Sequence, residues 1–368
     1  MHRLPLVAIL ATLALPASAL ADGSRLKPAE TPAVDLADAT GAVAPSAALG
    51  HVVFSRFVPA TKRFELVDWT AEGGLRVLPV GNRAVPFDAD VGPGASGGAV
   101  LAFSRCTTDG KLTYVLPTVD FTRARGCRAY IMDLGGAGAR PRRLSLARSA
   151  GLSLTTPSVR RGSVAAIAAP AKGSTSARVL LWPRTRQAPL RLRGGSPPKC
   201  PYRSCRVAPR TGVDALDLGP RSVAFLWRVT EPPYGAGDGV ELRTSSLRAG
   251  GTGGQVDRAQ GYVSGACGFR QPLSPGAGAD GGVAFLLAQS PCEVLQTTLA
   301  RQRPGSRVLS GVRPAGALAY GAAYDDEQVF WLRGAPARGV DEEPSAAPVP
   351  CADPAAKCRL VVSSSLPR

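Results

Sequence analysis

Six short apolar runs recur along the chain: HVVFS (51–55), AVLAF (99–103), SVAAIA (163–168), SVAFLW (222–227), GVAFLL (282–287) and QVFWL (328–332). Taking Val52, Val100, Val164, Val223, Val283 and Val329 as equivalent points, the spacings are 48, 64, 59, 60 and 46 residues. Apolar runs this short, bounded by Gly, Pro and Ser, read as buried strands, and no sustained helical period occurs between them. The spacing suits one four-stranded propeller blade plus variable loops. The expected fold is therefore all-β: a single β-propeller of six blades, each of four antiparallel strands, with the apolar runs as inner strands of a closed circular array.

The chain's two ends complete each other in this reading. The sixth repeat offers ALAYGAAY, QVFWLRG and CRLVVSSSL and then stops one strand short, while a spare segment lies at Ala33 to Val43. A terminal strand donated to the last blade would close the ring and remove exposed sheet edges. The alternative for the same Pro- and Ala-rich segment is an unstructured leader. Ahead of it, one Arg, a short apolar stretch and small residues at Ala17, Ala19 and Ala21 form the pattern of a secretory signal peptide. The organisation expected is a signal peptide at 1–21, an N-terminal segment at 22–44 and the propeller at 45–368, with no membrane span and a location in the periplasm or cell-wall space.

Export sets the reading of the eight cysteines, which fall into sequence-adjacent couples: Cys106 with Cys127, Cys200 with Cys205, Cys267 with Cys292, and Cys351 with Cys358. An even number in an oxidising compartment points to disulfides, although eight cysteines allow about 105 pairings. One couple has a geometric reason: if CGFRQPLS and GVAFLLAQ are antiparallel neighbours, Cys267 and Cys292 are nearly equidistant from the turn between them and should meet. No metal and no cofactor is expected, because Cys200-x4-Cys205 has no second ligand couple nearby.

The chain carries 44 Lys and Arg against 27 Asp and Glu, a formal net charge of +17. Removing residues 1–21 deletes one Arg and no acid and leaves +16. A basic exported protein favours anionic neighbours such as cell-wall polymers or acidic glycans. Nucleic acid is the weaker partner, since the arginines are scattered through loops without an aromatic and basic platform.

Two stretches carry a family resemblance. YIMDLGGAGARPRRLSL (130–146) resembles the third and fourth strands of the TolB-type, WD-like six-bladed propeller repeat: an apolar run ending in Asp, a two-glycine turn, then a basic strand closing the blade. SPGAGADGGVAFLLAQS (274–290) resembles that repeat's first turn and second strand. VRRGS (159–163) and LGPRS (218–222) replace the family's Asp-Gly turn. The resemblance implies a propeller that meets its partner through the loops around the central channel.

Individual motifs are weighed against simpler explanations. GPGASGG (92–98) contains the spacings of a dinucleotide fingerprint in Gly92, Gly94 and Gly97 and of a nucleophile elbow around Ser96, but the strand AVLAF follows where both need a helix. It reads as a strand-connecting turn. His51, the single histidine beyond residue 21, opens the first apolar run, where a partly exposed strand-end residue is the ordinary expectation. The tryptophans 69, 182, 227 and 331 read as packing between blades, and the runs at Arg140 to Arg143 and at Arg160-Arg161 as solvated turns.

Carboxylates remain the candidate ligand-binding groups: Asp88 and Asp90 on one strand face, Asp214 and Asp217 before the fourth repeat, and Asp325 and Asp326 before the sixth. Equivalent positions in several blades can converge on one channel mouth. The expected function is a monomeric, non-catalytic binding or scaffold protein acting on a protein or an anionic cell-envelope glycan. The alternative is a glycan hydrolase or lyase working through channel-mouth carboxylates such as Asp88 and Asp90.

Overall fold

The computed structural model describes most of the chain between Ala29 and Ser364; residues 1–28, 146–151, 171–177, 193–209, 231–238, 259–268, 291–295, 335–350, 365–368 and some shorter stretches lie outside the described residues. Six sheets follow one another around a ring. Blade I comprises Ala42–Ala48, His51–Val58, Arg63–Thr70 and Gly74–Val77. Blade II comprises Asp88–Pro93, Ala99–Arg105, Arg128–Asp133 and Arg142–Arg143. Blade III runs from Leu152–Arg160 through Ser163–Pro170 and Arg178–Trp182 to Ala188–Leu190. Blade IV runs from Arg210–Leu218 through Ser222–Thr230 and Gly239–Ser246 to Gly253–Arg258. Blade V is built from Phe269–Ala277, Val283–Ser290, Gln296–Gln302 and Leu309–Pro314.

The ring closes through the N-terminal segment. Blade VI takes Leu318–Asp325, Gln328–Gly334 and Arg359–Ser364 from the C-terminal part of the chain, and its fourth strand, Val34–Asp38, pairs antiparallel with Arg359–Ser364. Just before it, Ala29–Thr31 pairs in parallel with the outer strand of blade V, as a fifth strand that the repeat pattern does not signal. One segment thus covers the outer edges of two blades before entering blade I at Ala42. Each of those edges would otherwise present unpaired backbone groups.

The apolar runs occupy the second strand of every blade, one place out from the channel, which corrects the expectation that they are the inner strands. The reason is exposure. A second strand is flanked by strands on both sides and covered on both faces by neighbouring blades, so it is apolar without alternation. Phe54 faces the seam with blade VI while Val53 faces blade II; Leu101 and Phe103 face blade I while Ala102 faces blade III; Phe225 faces blade III while Leu226 faces blade V. The core is accordingly a set of seams between blades, and around Trp331, Phe330, Leu286 and Phe54 the two seams on either side of blade VI join. The first strand of each blade has a free edge on the channel and can carry Asp, Ser and Pro.

The turn at 92–98 joins two strands as expected, with the Gly94 amide donating to the Gly98 carbonyl at 2.7 Å and Gly97 at a φ of +90°. Cys106–Cys127 and Cys351–Cys358 are bonded. Phe269 pairs with Ser290, and Cys267 and Cys292, two positions beyond them, lie outside the described residues, as do Cys200 and Cys205. No helix among the described residues is long and apolar enough to cross a membrane.

Candidate functional site

The six first strands surround a central cavity of about 260 Å³. Five of them are bulged: the register shifts between Val43 and Ser46, Thr155 and Ser158, Val213 and Ala215, Leu273 and Gly276, and Ala319 and Ala322. At three of the bulges a proline, Pro45, Pro157 or Pro275, follows a residue of left-handed φ: Ala44 (50°), Thr156 (46°) or Ser274 (45°). Proline has no amide hydrogen for the ladder, so pairing breaks there, and the bulge re-aims the next residue.

That next residue performs a repeated task. The Ser46 hydroxyl donates to Asp90 Oδ1 at 2.6 Å and accepts the Val91 amide at 2.9 Å, joining blade I to blade II. The Ser158 hydroxyl donates to Asp217 Oδ1 and accepts the Leu218 amide, both at 2.8 Å, joining blade III to blade IV. Each aspartate then uses its second oxygen on the following blade: Asp90 Oδ2 accepts the Val159 amide at 2.7 Å and Asp217 Oδ2 the Ala277 amide at 2.6 Å. Between blades V and VI the arrangement is replaced by packing. Gly276 stands in the serine's place, and a Cβ there would come within 2.6 Å of the Tyr324 ring.

The remaining candidates are placed as follows. Asp88 is buried, and its Oδ2 accepts the Thr156 amide across the seam of blades II and III at 2.5 Å. Asp214 is the bulged residue of blade IV and lines the cavity. Asp325 Oδ2 accepts the Gly50 amide at 3.3 Å, tying blade VI to blade I. Asp326 lies outside the described residues. The structure therefore brings Asp88, Asp90, Asp214, Asp217 and Asp325 to one channel wall.

Burial in the channel wall governs the ionisation of Asp90 and Asp217. The Asp90 pKa is raised from 3.8 to about 7, first by burial and then by the charge of Asp217, against the opposing hydrogen bonds of Ser46, Val159 and Ser158. Burial raises Asp217 as well, opposed by the Ala277 amide, Ser158 and the Arg160 guanidinium.

Several residues of the site escape a reading by residue type. Arg160 does not join Arg161 in a solvated turn: it lines the channel, its Nη1 donates to the Ala277 carbonyl at 3.4 Å, and its Nε has no acceptor among the described residues. Phe121, from the loop closed by Cys106–Cys127, packs with Val85, Ala124 and Ala44 and covers the end of the channel where the first strands begin. Tyr324 adds a buried hydroxyl without a partner among the described residues, and burial pushes its pKa well up. The signal available in sequence was the recurrence of APS, TPS and SPG at 44–46, 156–158 and 274–276.

His51 opens the second strand of blade I, with Nδ1 3.0 Å from both oxygens of Asp68. Asp68 is fully buried and also accepts Arg76 Nε at 2.9 Å and Nη2 at 2.8 Å. Trp331 and Trp182 are buried, Trp69 packs against Phe330 across the seam of blades I and VI, and Trp227 lies under the Arg243 guanidinium. These are packing roles, as expected.

No family model matches the sequence, and no curated protein matches it. Among solved structures the chain is similar to a Mycobacterium tuberculosis puromycin-hydrolyzing peptidase, with 13% identity, a TM-score of 0.45, and coverage of 84% of this chain and 52% of that one. It is also similar to the β-propeller domain of the Trilobed protease from Pyrococcus furiosus, described as having an open velcro topology, with 11% identity, a TM-score of 0.38, and coverage of 79% and 90%. A third is Pyrococcus horikoshii acylaminoacyl peptidase, with 11% identity, a TM-score of 0.40, and coverage of 79% and 48%. The chain spans about half the length of the first and third of these. The six-bladed propeller implied by the TolB-type motifs is present.

Proposed function

We propose that the protein is an exported, monomeric, non-catalytic binding module that engages an anionic cell-envelope glycan through the loops around its channel. One observation carries the reading: Asp90 and Asp217, two carboxylates of the channel wall, commit both oxygens to amides and hydroxyls of neighbouring blades. Groups so engaged hold a scaffold in shape. The ligand is then left to the rim, in a protein whose formal charge of +17 favours anionic partners. In this reading residues 1–21 are removed on export, and the bonds Cys106–Cys127 and Cys351–Cys358 suit an oxidising compartment. Asp88, Asp214 and Asp325 remain ligand candidates for the channel interior.

The test is retention of the mature chain on purified cell-envelope material. Retention at low ionic strength that weakens as salt is added supports the proposal; absence of retention at low salt refutes it. A protein captured from the envelope in place of glycan would reassign the partner. The pair Asp90 and Asp217, in which the charge of Asp217 adds to burial in raising Asp90, is the feature that favours the hydrolase or lyase reading, because two carboxyls with displaced pKa values can act as acid and base. Turnover of an acidic polysaccharide that is lost in Asp88→Asn, Asp90→Asn and Asp217→Asn would establish it.

A further inference from the structure

The two ends of the channel differ in chemistry. Phe121 covers the end where the first strands begin. At the other end, the turns joining first to second strands surround the opening, with those joining third to fourth strands outside them. On blades III to V the described residues of these turns (161–162, 219–221, 278–282 and 303–304) contain three arginines, Arg161, Arg221 and Arg303, and one acid, Asp280. Asp280 is already paired with Arg301 at 2.8 Å. Arg161, Arg221 and Arg303 are exposed and form no ion pair among the described residues.

Two local features show that this arc is more than solvated charge. Arg160, one residue before the turn, places its guanidinium inside the channel between the Ala277 carbonyl and the field of Asp217, with its Nε unpartnered. Arg161 tips the turn at a φ of 49°, a left-handed conformation unfavourable for any residue with a side chain. Leu49 holds the same position in blade I, with a φ of 54° before Gly50, so the turn geometry itself does not require arginine.

We propose that this opening is the binding mouth, and that Arg161, Arg221 and Arg303, with Arg160 behind them, take the carboxylate or phosphate groups of an anionic polymer. The inference rests on the proposed function and adds to it the face and the residues. Arginine forks match both anions with paired hydrogen bonds. A chain of such groups spaced along a polymer can engage arginines on three successive blades together.

The experiment titrates the mature protein at low salt with polygalacturonate and, separately, with polyphosphate, read by calorimetry. The triple variant Arg161→Ala/Arg221→Ala/Arg303→Ala is expected to weaken binding at least tenfold and to flatten its salt dependence. Arg63→Ala, at the exposed start of the strand Arg63–Thr70 and at the opposite end of blade I, is expected to bind like the wild type. The stronger of the two polymers assigns carboxylate or phosphate as the recognised group. Equal binding by triple variant and wild type overturns the mouth and leaves the anionic partner standing, as does an equal loss in Arg63→Ala. Binding of neither polymer by the wild type overturns the anionic partner as well. Unchanged circular dichroism of the variants checks that the losses are not failures to fold.

Discussion

Asp90 makes the stability of the ring depend on pH, with a sign opposite to that of an ordinary salt-bridged aspartate. In the folded chain its pKa is about 7, through burial first and the Asp217 charge second; in the unfolded chain it returns to about 3.9. Between these values the folded state holds a proton that the unfolded state has released. Stability from this group is therefore full below pH 4, falls as pH rises through 4 to 7, and is level above. Three units at about 1.4 kcal/mol each give a ceiling of about 4 kcal/mol. Asp217 adds in the same direction. The perturbation is Asp90→Asn, which abolishes the titration at that site. Its amide places an NH2 among groups that include the Val159 donor, so it carries a pH-independent cost of about 1–3 kcal/mol. The slope is the readout and the offset is not. Urea unfolding followed by tryptophan fluorescence, at fixed ionic strength from pH 4.5 to 8, is expected to show wild-type stability declining toward pH 7. The stability of the wild type relative to the variant should fall by about 3 kcal/mol over that range, enough to close or reverse the gap. Parallel curves for the two proteins, or wild-type stability rising from pH 4.5 to 7, would refute the argument.

Ser158→Ala removes a hydroxyl that donates to Asp217 and accepts the Leu218 amide, and is expected to cost about 2 kcal/mol in the same denaturation assay. Replacing Cys106 and Cys127 together by serine opens a loop whose ends are 21 residues apart, with an expected loss of about 3 kcal/mol and faster hydrogen exchange around Phe121. Deleting residues 1–40 strips Ala29–Thr31 and Val34–Asp38 from blades V and VI, exposing the edge of Arg359–Ser364. Light scattering is expected to show self-association of that truncated protein, and a stable monomer would argue against edge protection.

Residue pattern alone determined the repeat and the strand type, and it narrowed the N-terminal segment to a closing strand or an unstructured leader. The six apolar runs are continuous because second strands are covered on both faces, and that coverage is written in every residue of Val52 to Phe54 and of Val283 to Leu287. The missing fourth strand of the last repeat pointed to the N-terminal segment for the same reason, since an unfilled edge is a local deficit that sequence order reveals. Asp88, Asp90, Asp214, Asp217 and Asp325 were identifiable as polar residues out of place beside apolar strands. Tertiary structure decided what they do. Asp90 meets Ser46 from 44 residues away and the Val159 amide from 69 residues away, and such partners depend on which blades become neighbours when the ring closes. The same holds for Arg160, whose adjacent arginine faces solvent while it faces the channel: a one-residue step along a strand reverses the direction of a side chain, and which side is the channel is set by the ring as a whole.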